Sequence, residues 1–360
     1  MAHDTDIIAS GNLASSRRII AGLLGQLAFL DIGRNSAEAL LLSAGLPARA
    51  LDEPDFPVSL QQELEICAAM AAQVPRGTSL VRLLFASLDK MGIENLGVIG
   101  MAMRHAPTAI DSLRVCLAYP ELTMGHCRMV VRRQPDGVLL SFHMERPTIR
   151  EADEAAIDDL VTYLEVLDLT SSLRNIQDFM GSRQPPLRVR LPYPEPVDWQ
   201  AIADKLDFQV TFSAEETSLC FPAAVDTTPL PAANPILFQM YSSLAEKMSR
   251  MLAEDISFEE RVVRWLWASS PPPTRADVAG LLALSERSLN RHLAREGTTY
   301  AELLARVQAE RAQNLLRNGE LSVSEIGYRL GYSEPAAFSR AFTHWVGQSP
   351  SKWRKAHPQV

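Results

Sequence analysis

Apolar residues recur at helical spacing through most of the first 120 residues. Apolar side chains follow a helical period over residues 17–30 and, in a shorter stretch, over residues 37–43. Ser59 lies three residues before Gln62, a spacing typical of the capping box at the start of a helix. This part of the chain is therefore predicted to be mainly helical.

The pattern changes to alternation further along the chain. Residues 125–134 and 138–145 are extended runs joined by a turn at 135–137, which predicts a β-hairpin. Alternation places His126 and Arg128 on one face of it. Further candidate elements are a helix over 151–173 and short strands over 187–191 and 208–212. We therefore predict one α+β domain over residues 1–232.

A connecting helix is predicted over residues 233–256. Asn234 supplies an N-cap and Pro235 a favourable first helical residue. Its apolar stripe consists of Leu237, Met240, Tyr241, Leu244, Met248, Met251 and Leu252. Either packing against its own domain or a seam between two copies of the chain accounts for this stripe.

The last hundred residues are rich in helix-start signals. A Ser or Thr precedes an acidic residue by three positions at Ser257, Thr274, Thr299 and Ser322. Further starts are expected at Ser285, Glu334 and Ser349, the last two each followed by a proline. We predict an all-α domain of seven short helices over residues 257–360.

Two segments of this helical region repeat one pattern. Residues 278–285 and 326–333 each predict a short amphipathic helix closed by a tight turn. A second helix follows with paired apolar anchors, Leu289 with Leu293 and Phe338 with Phe342. Small residues at Ala279 and Gly327 permit close helix crossing. The pattern predicts two helix-turn-helix motifs.

Polar residues between those anchors are predicted to face outward, on the helix that enters the major groove in this motif. The principal candidates for DNA contact are Asn290, Arg291, Ser339 and Arg340, and the secondary ones are Arg287, Ser288 and Ala336. Arginine can donate two hydrogen bonds to guanine, and asparagine can pair with adenine in the same way. Phosphate contact is the alternative for both principal arginines.

Residues 300–317 predict a linker helix between the two motifs. Its 18 residues would span about 27 Å. A rigid spacer of this size could present both recognition helices to major-groove segments about 34 Å apart on one face of the duplex.

The motifs of this region match a known pattern. They are Arg311, Ala312, Leu315 and Leu316, then Ile326, Gly327, Gly331, Tyr332, Ser333, Phe338, Ser339, Arg340 and Phe342, then Gly347, Ser349, Pro350, Trp353 and Arg354. Residues 257–357 thus resemble the DNA-binding domain of the AraC/XylS family of bacterial transcription regulators. The resemblance implies operator double-stranded DNA and RNA polymerase as partners. Relatives often carry polar residues where this chain has Pro335 and Ala336, so the second motif is expected mainly to grip the DNA backbone.

The front of the chain shows a second resemblance. Residues 96–113 and 208–221 are similar to the arabinose-binding-like effector domain found in part of this family. The resemblance implies an unidentified small-molecule effector and a dimerising role, and a homodimer is our expectation.

The charge distribution agrees with an anionic partner for one end of the chain. The net charge of -8 at pH 7 divides into +4 over residues 257–360 and -12 over the remainder. Such asymmetry favours a nucleic-acid partner for the basic part, although a solvated surface gives the same count.

Composition narrows the remaining possibilities. The four cysteines, Cys67, Cys116, Cys127 and Cys220, lack C-x-x-C spacing, so we expect buried thiols and no metal site or cofactor. A leader peptide and a long apolar run are missing from the sequence as given, which favours a cytoplasmic protein with no membrane partner.

An effector site is predicted only loosely. Its candidates are Arg104, His105, His126, Arg128 and His143, of which the last three could converge with Glu145 on one face of the hairpin. Anion binding, acid/base catalysis and a plain solvated face all fit these residues. The common nucleotide, hydrolase and zinc-protease motifs do not occur. We therefore expect a regulator and not an enzyme, the alternative being a ligand-processing enzyme domain fused to a DNA-binding module.

Overall fold

The structure is a computed structural model of the chain. It describes residues 5–9, 17–74, 78–123, 125–149, 152–180, 186–252, 257–268, 272–282, 284–317 and 321–357. Contacts divide the chain into two compact units. The first comprises residues 1–11, 132–135 and 256–360, and the second residues 12–131 and 136–255.

The strands are β1 (Thr5–Ala9), β2 (Arg17–Ile19), β3 (Pro57–Ser59), β4 (Arg128–Gln134), β5 (Gly137–His143), β6 (Arg188–Arg190), β7 (Val210–Thr211) and β8 (Thr217–Pro222). The helices up to residue 252 are α1 (Ala21–Phe29), α2 (Arg34–Ser43), α3 (Leu60–Ala72), α4 (Leu80–Ala86), α5 (Gly97–Arg104), α6 (Ala109–Ala118), α7 (Glu154–Met180), α8 (Gln200–Ala203), α9 (Ala224–Thr227) and α10 (Pro235–Leu252). The remaining helices are α11 (Phe258–Trp267), α12 (Arg275–Leu281), α13 (Glu286–Arg295), α14 (Tyr300–Arg317), α15 (Val323–Arg329), α16 (Pro335–Val346) and α17 (Pro350–Ala356).

The sheet has the strand order β1-β4-β5-β8-β6-β7. In the second unit β5 pairs antiparallel with β8, which pairs antiparallel with β6, and β7 is parallel to β6. The 27-residue helix α7 packs against α3, α4 and the strands β5 and β8. The predicted α+β class is confirmed.

Some boundaries in this unit differ from the sequence expectations. Residues Arg17–Ile19 form β2, paired with β3, although a helix was expected from residue 17. The predicted start at residue 151 lies outside the described residues, and the helix that follows runs to Met180 instead of ending near 173. The hairpin is present, but β4 begins only at Arg128.

The helix α10 packs against α5 with an unusual choice of residues. Its buried positions are Ser242, Ala245, Glu246 and Ser249. Of the predicted apolar stripe, Met240, Leu244 and Met251 are exposed, whereas Leu237, Tyr241, Met248 and Leu252 are half-buried. Packing within the second unit therefore accounts for part of the stripe and leaves three of its side chains in solvent.

In the first unit, seven helices occur among the residues described from 257 onward, as predicted. Six of the predicted starts have a side chain that accepts a hydrogen bond from the first turn: Ser257, Thr274, Ser285, Thr299, Ser322 and Ser349. Each cap satisfies a backbone N–H that the helix itself leaves unpaired. The seventh start, Glu334, has no such bond, and Pro335 occupies the first helical position.

Candidate nucleic-acid interface

Two helix pairs repeat the same local geometry. The turn after α12 is closed by a hydrogen bond from the Leu284 N–H to the Ala279 carbonyl at 2.8 Å. The turn after α15 is closed by the matching bond from Tyr332 to Gly327 at 3.0 Å. Ala283, at the first turn, lies outside the described residues. Two helix-turn-helix motifs are thus present.

The second motif has a longer turn than the first and a close helix crossing at Gly327. Five residues separate α15 from α16, one more than separate α12 from α13. Gly331 has φ of 88°, which favours glycine. A Cβ at Gly327 would lie 3.0 Å from the Cβ of Phe338. The predicted need for a small residue at Gly327 is therefore met.

Buried anchors orient both second helices. Leu289 and Leu293 in α13, and Phe338 and Phe342 in α16, are fully buried. The core of the second motif consists of Ala312, Leu316, Ile326, Leu330, Phe338, Phe342 and Trp353. With these anchors inside, the opposite side of each second helix faces solvent.

The candidate DNA contacts lie on these outer sides. Arg287, Asn290, Arg291, Ala336 and Arg340 are exposed, whereas Ser288 and Ser339 are half-buried. The Ser288 hydroxyl accepts a hydrogen bond from Ser285, so part of its capacity is used in the helix cap.

The three candidate arginines have no side-chain partner to compete with DNA among the residues that the structure describes. Arg287, Arg291 and Arg340 make neither an ion pair nor a hydrogen bond with side chains in the described part of the chain. Two other arginines of the unit are occupied: Arg275 pairs with Glu286 at 2.6 Å and Arg306 with Glu259 at 2.7 Å. Unpaired guanidinium groups on an exposed helix face are available to phosphates or base edges.

The linker helix α14 contacts both α11 and the second motif through buried residues. Arg311 donates from Nη2 to the carbonyl oxygens of Leu266 and Trp267 at 2.8 and 2.7 Å, and its guanidinium lies 5.1 Å from the Trp267 ring centroid. It thereby satisfies carbonyls at the end of α11. The next residue, Ala312, belongs to the core of the second motif. This structural role of Arg311 was not apparent from the sequence.

In the second unit, the predicted placement of His126 on the hairpin is wrong. The residue precedes β4, is buried, and does not lie on an exposed hairpin face. Its Nε2 atom lies 3.3 Å from Oε1 of Glu63, and its Nδ1 atom 3.9 Å from Oδ1 of Asp168. Contacts with α3 and α7 therefore override the simple alternation of the hairpin.

His126 belongs to a buried ionic cluster formed by Arg18, Glu63, His126 and Asp168. Arg18 Nη1 lies 3.3 Å from Glu63 Oε2, while its Nη2 donates to the Gly125 carbonyl at 2.7 Å. Asp168 Oδ2 accepts hydrogen bonds from the backbone N–H groups of His126 and Cys127 at 2.8 and 2.7 Å. The cluster fixes β2, α3 and α7 around the entry to β4.

The pKa values of the cluster follow from competition between burial and charge. Burial alone would lower the pKa of His126, but the carboxylates of Glu63 and Asp168 raise it above its ordinary value. Burial alone would raise the pKa of Glu63, but the charges of Arg18 and His126 hold it below its ordinary value. The interactions within the cluster thus favour the protonated form of His126 and the ionised form of Glu63.

The other effector candidates differ from His126 in their exposure. Arg128 and His143 are exposed at the hairpin ends away from the turn. Arg104 is exposed at the end of α5. His105 Nδ1 lies 2.8 Å from the Ala232 carbonyl oxygen, and its ring stacks on Tyr241 with centroids 6.0 Å apart.

Sequence inspection missed Arg18, Glu63 and Asp168. One signal was available, because Glu63 shares a helix face with Cys67 and Met70, both buried. A charge on an apolar face requires a buried partner.

The described cysteines are free, and burial raises the pKa of Cys116 to about 12.

The described residues form neither a metal site nor a membrane-spanning helix. They contain no group of three His, Cys, Asp or Glu side chains suited to a metal ion. None of their helices is long and apolar enough to cross a bilayer.

Two helix-turn-helix motifs with outward, unpaired arginines define a DNA-binding protein. Residues 278–356 match a helix-turn-helix domain model, and residues 35–230 match the model for the N-terminal arabinose-binding domain of the AraC transcription regulator. The ornithine utilization regulator of Pseudomonas aeruginosa is 32% identical over 323 residues, covering 89% of this chain and 91% of that protein. The HTH-type transcriptional regulator VqsM of the same organism is 28% identical over 273 residues. The match covers 73% of this chain and 81% of that protein.

A solved structure with similar extent is the transcriptional regulator CdpR from Pseudomonas aeruginosa, with a TM-score of 0.45, 22% identity, and coverage of 92% of this chain and 98% of that one. The chain belongs to the AraC family of DNA-binding transcription regulators, with an arabinose-binding-like N-terminal domain.

Proposed function

We propose that the two second helices, α13 and α16, enter adjacent major-groove segments of an operator. The proposed contacts are Arg287, Ser288, Asn290 and Arg291 in the first motif and Ala336, Ser339 and Arg340 in the second. The observation that carries this proposal is the pairing of buried anchors with exposed, partner-free arginines in both motifs.

The proposed roles divide along the chain. Residues 257–360 would bind DNA, residues 1–232 would sense an effector, and α10 would connect the two functions. Since the chain's established class acts on DNA, we place its site of action in the cytoplasm, with RNA polymerase as the further partner. A regulatory and non-catalytic role is supported by the regulator relatives.

A homodimer through α10 is supported by the exposed apolar side chains of this helix. Ile236, Met240, Leu244 and Met251 lie on one side of it and are all exposed. A contiguous apolar stripe on a protein surface typically marks an interaction site. A twofold dimer requires a surface that matches itself, and such a stripe can do so in an antiparallel pair centred on Leu244.

The dimer can be tested with Leu244→Glu in the full chain. We expect sedimentation velocity to show a dimer for the unmodified protein and a monomer for the variant. Leu42→Glu is the matched control, because Leu42 is similarly exposed on α2, away from this stripe. Loss of the dimer in both variants, or in neither, would contradict the proposal.

The DNA contacts can be tested with Arg291→Ala in the full chain. A duplex selected from a random library serves as the operator, and a scrambled duplex of equal length as competitor. If Arg291 reads a base, the operator affinity should fall by about 1 to 3 kcal/mol while the scrambled affinity changes little. An equal loss on both duplexes assigns Arg291 to a phosphate. Arg306→Ala, an exposed arginine paired with Glu259, is the control.

The enzyme alternative predicts a different result for the sensing residues. Turnover of a metabolite by the full chain, abolished by His143→Ala, would support catalysis. If the metabolite raises the melting temperature of the protein but is not converted to a product, it acts as an effector and not as a substrate.

A further inference from the structure

The two faces of the sheet in the second unit differ in chemistry. Thr217 on β8 donates a hydrogen bond to Glu165 of α7 at 2.7 Å, so this face of the strand lies against that helix. Leu219, on the same face, and Val189, paired with it, are fully buried. Because successive residues of a strand point to opposite faces, Ser218 points away from α7.

Strand pairing aligns four hydrogen-bonding side chains on the face that Ser218 shares. Ser218 is paired with Ser141 of β5 on one side and with Arg190 of β6 on the other. Arg190 is in turn paired with Thr211 of β7. Residues paired in this way point to the same face of a sheet. Since neighbouring strands lie about 4.8 Å apart, the four residues form a row of about 14 Å across the sheet, which we call the polar row.

The polar row runs from solvent into the interior. Thr211 and Arg190 are exposed, whereas Ser218 and Ser141 are only 1% and 7% exposed. Neither serine hydroxyl has a hydrogen-bond partner among the residues that the structure describes. A buried hydroxyl that makes no hydrogen bond destabilises a fold, so two of them in adjacent strands require an explanation other than stability.

Arg190, at the exposed part of the row, also lacks a partner. Within the described ranges it makes neither an ion pair nor a side-chain hydrogen bond. Arg188, two residues earlier and on the same face, is instead paired with Asp136. A guanidinium group that no internal carboxylate occupies can hold an external one through two parallel hydrogen bonds. This end of the row is therefore suited to a carboxylate.

The buried end of the row is suited to a different group. A serine hydroxyl both donates and accepts hydrogen bonds, as does the hydroxyl group of a ligand. Two strand spacings, about 10 Å, separate the backbone of Arg190 from that of Ser141, with Ser218 halfway between them. A short chain with a carboxylate at one end and hydroxyl groups along its length matches this order of partners.

We propose that the polar row binds a small hydroxylated carboxylate, with the Arg190 guanidinium holding the carboxylate and the Ser218 and Ser141 hydroxyls bonding to the hydroxyl groups. This inference rests on the proposed effector-sensing function of residues 1–232, to which it adds a location and a ligand class.

The first experiment measures binding to the full chain by calorimetry and by the shift in melting temperature. The probes are glycerate, threonate and gluconate, three hydroxy acids of increasing length. Hexanoate supplies the carboxylate alone and sorbitol the hydroxyl groups alone. We expect at least one hydroxy acid to bind about tenfold more tightly than either control, since each control lacks one set of hydrogen bonds. Binding of none of the three, or equal binding of a control, would overturn the proposal.

Substitutions in the row test the assigned contacts. Arg190→Ala should weaken binding of the hydroxy acid about ten- to hundredfold, the range for a hydrogen bond to a charged group. Arg190→Lys should recover only part of this loss, because lysine lacks the planar fork. Ser218→Ala should weaken binding about two- to tenfold, the range for a neutral hydrogen bond. Arg146→Ala, at an exposed arginine paired with Glu154, is the control and should bind normally.

Stability of the ligand-free protein separates ligand contact from a structural role. Ser218→Ala should not lower the melting temperature, because the hydroxyl that it removes is buried without a described partner. Thr217→Ala, on the opposite face of the same strand, removes a hydroxyl bonded to Glu165. It should lower the melting temperature and leave ligand affinity unchanged. If Ser218→Ala instead destabilises the protein and binds the ligand normally, its hydroxyl is structural and the proposal fails.

Operator affinity distinguishes this inference from the function beneath it. The full chain is titrated with its selected duplex in the presence and absence of the hydroxy acid. If the acid binds through the polar row but leaves operator affinity unchanged, the ligand site stands and the effector function fails. If another metabolite changes operator affinity equally in the unmodified chain and in Arg190→Ala, the effector function stands and the polar row is not its site. Loss of both acid binding and its effect on operator affinity in Arg190→Ala supports both.

Discussion

Arginine is used in opposite ways in the two units of the chain. In the first unit Arg291 lies exposed on α13 without an ion pair or side-chain hydrogen bond among the described residues. In the second, Arg18 on β2 is completely buried and lies against Glu63. A charge in water is available to an external anion at little desolvation cost, whereas a charge removed from water must be matched inside the fold.

The difference separates binding from stability. Substitution of an exposed, unpaired arginine should change DNA affinity and leave folding nearly untouched. Substitution within the ionic cluster should do the reverse, because the remaining charges lose their partner in a dry environment. The following variants measure how strictly this separation holds.

The largest effect is expected from Glu63→Gln. The change removes the carboxylate that faces both Arg18 and His126. Breaking a buried ion pair by removing one partner costs about 3 to 5 kcal/mol. Hydrogen exchange of the full chain should show faster exchange throughout α3 and α7, with little change in α13 and α16.

Glu154→Gln is the control for that variant. Glu154 pairs with Arg146 but is 86% exposed, and an exposed pair contributes only about 0 to 1 kcal/mol. Equal effects of the two substitutions would show that the buried cluster does not stabilise the second unit as argued.

The next effect is a pH dependence of the second unit. The neighbouring carboxylates raise the pKa of His126 in spite of burial, so its stabilisation is complete below the pKa of an unfolded histidine, about 6.5, and is lost as pH rises through the folded value. Glu63 acts oppositely: its pKa is lowered, so its contribution is lost as pH falls through the folded value.

Urea unfolding between pH 5 and 9 can measure this dependence. We expect the free energy of unfolding to decline above pH 6.5 by up to about 1.4 kcal/mol per pH unit, the limit for one proton. The variant His126→Gln should show a flatter pH dependence. Buried Cys67 and Cys127 have raised pKa values as well, so they add a decline only above the thiol range near pH 8.5. A decline unchanged in His126→Gln would exclude this histidine as its source.

The comparison also explains what sequence inspection can find. The helices of the first unit were predictable because each start depends on residues three positions apart, as in Ser322 with Glu325. The outward placement of Arg291 followed from its neighbours Leu289 and Leu293. Periodicity and capping are local, and they sufficed for the fold of this unit.

The ionic cluster could not be found in this way. Arg18, Glu63 and Asp168 are far apart in the sequence. The buried position of each one can be explained only when its partners are known. Local alternation even gave the wrong side for His126, because the interactions with α3 and α7 decide its position. Long-range electrostatic partners require the tertiary structure, which periodicity does not contain.

A smaller effect tests the local signals themselves. Ser322→Ala removes the side chain that accepts a hydrogen bond from the Glu325 backbone N–H at the start of α15. Loss of such a cap typically costs about 1 kcal/mol. Thermal unfolding and hydrogen exchange of α15 should report this loss, without an effect on α3 or α7. Ser333→Ala, at an exposed serine outside any described cap, should be neutral; a similar loss there would refute the capping explanation.

The smallest effect contrasts two glycines in the paired first helices of the motifs. A Cβ at Gly280 in α12 meets nothing within 4 Å, so Gly280→Ala should stabilise the first unit by about 0.5 to 1 kcal/mol through reduced backbone entropy in the unfolded chain. At Gly327 in α15 the same Cβ would press on Phe338, whose side chain is fixed in the core of the second motif. The packing cost offsets the helix gain there. We therefore expect urea unfolding to rank Gly280→Ala above Gly327→Ala, and equal gains would mean that α15 and α16 can separate by a few tenths of an ångström without loss.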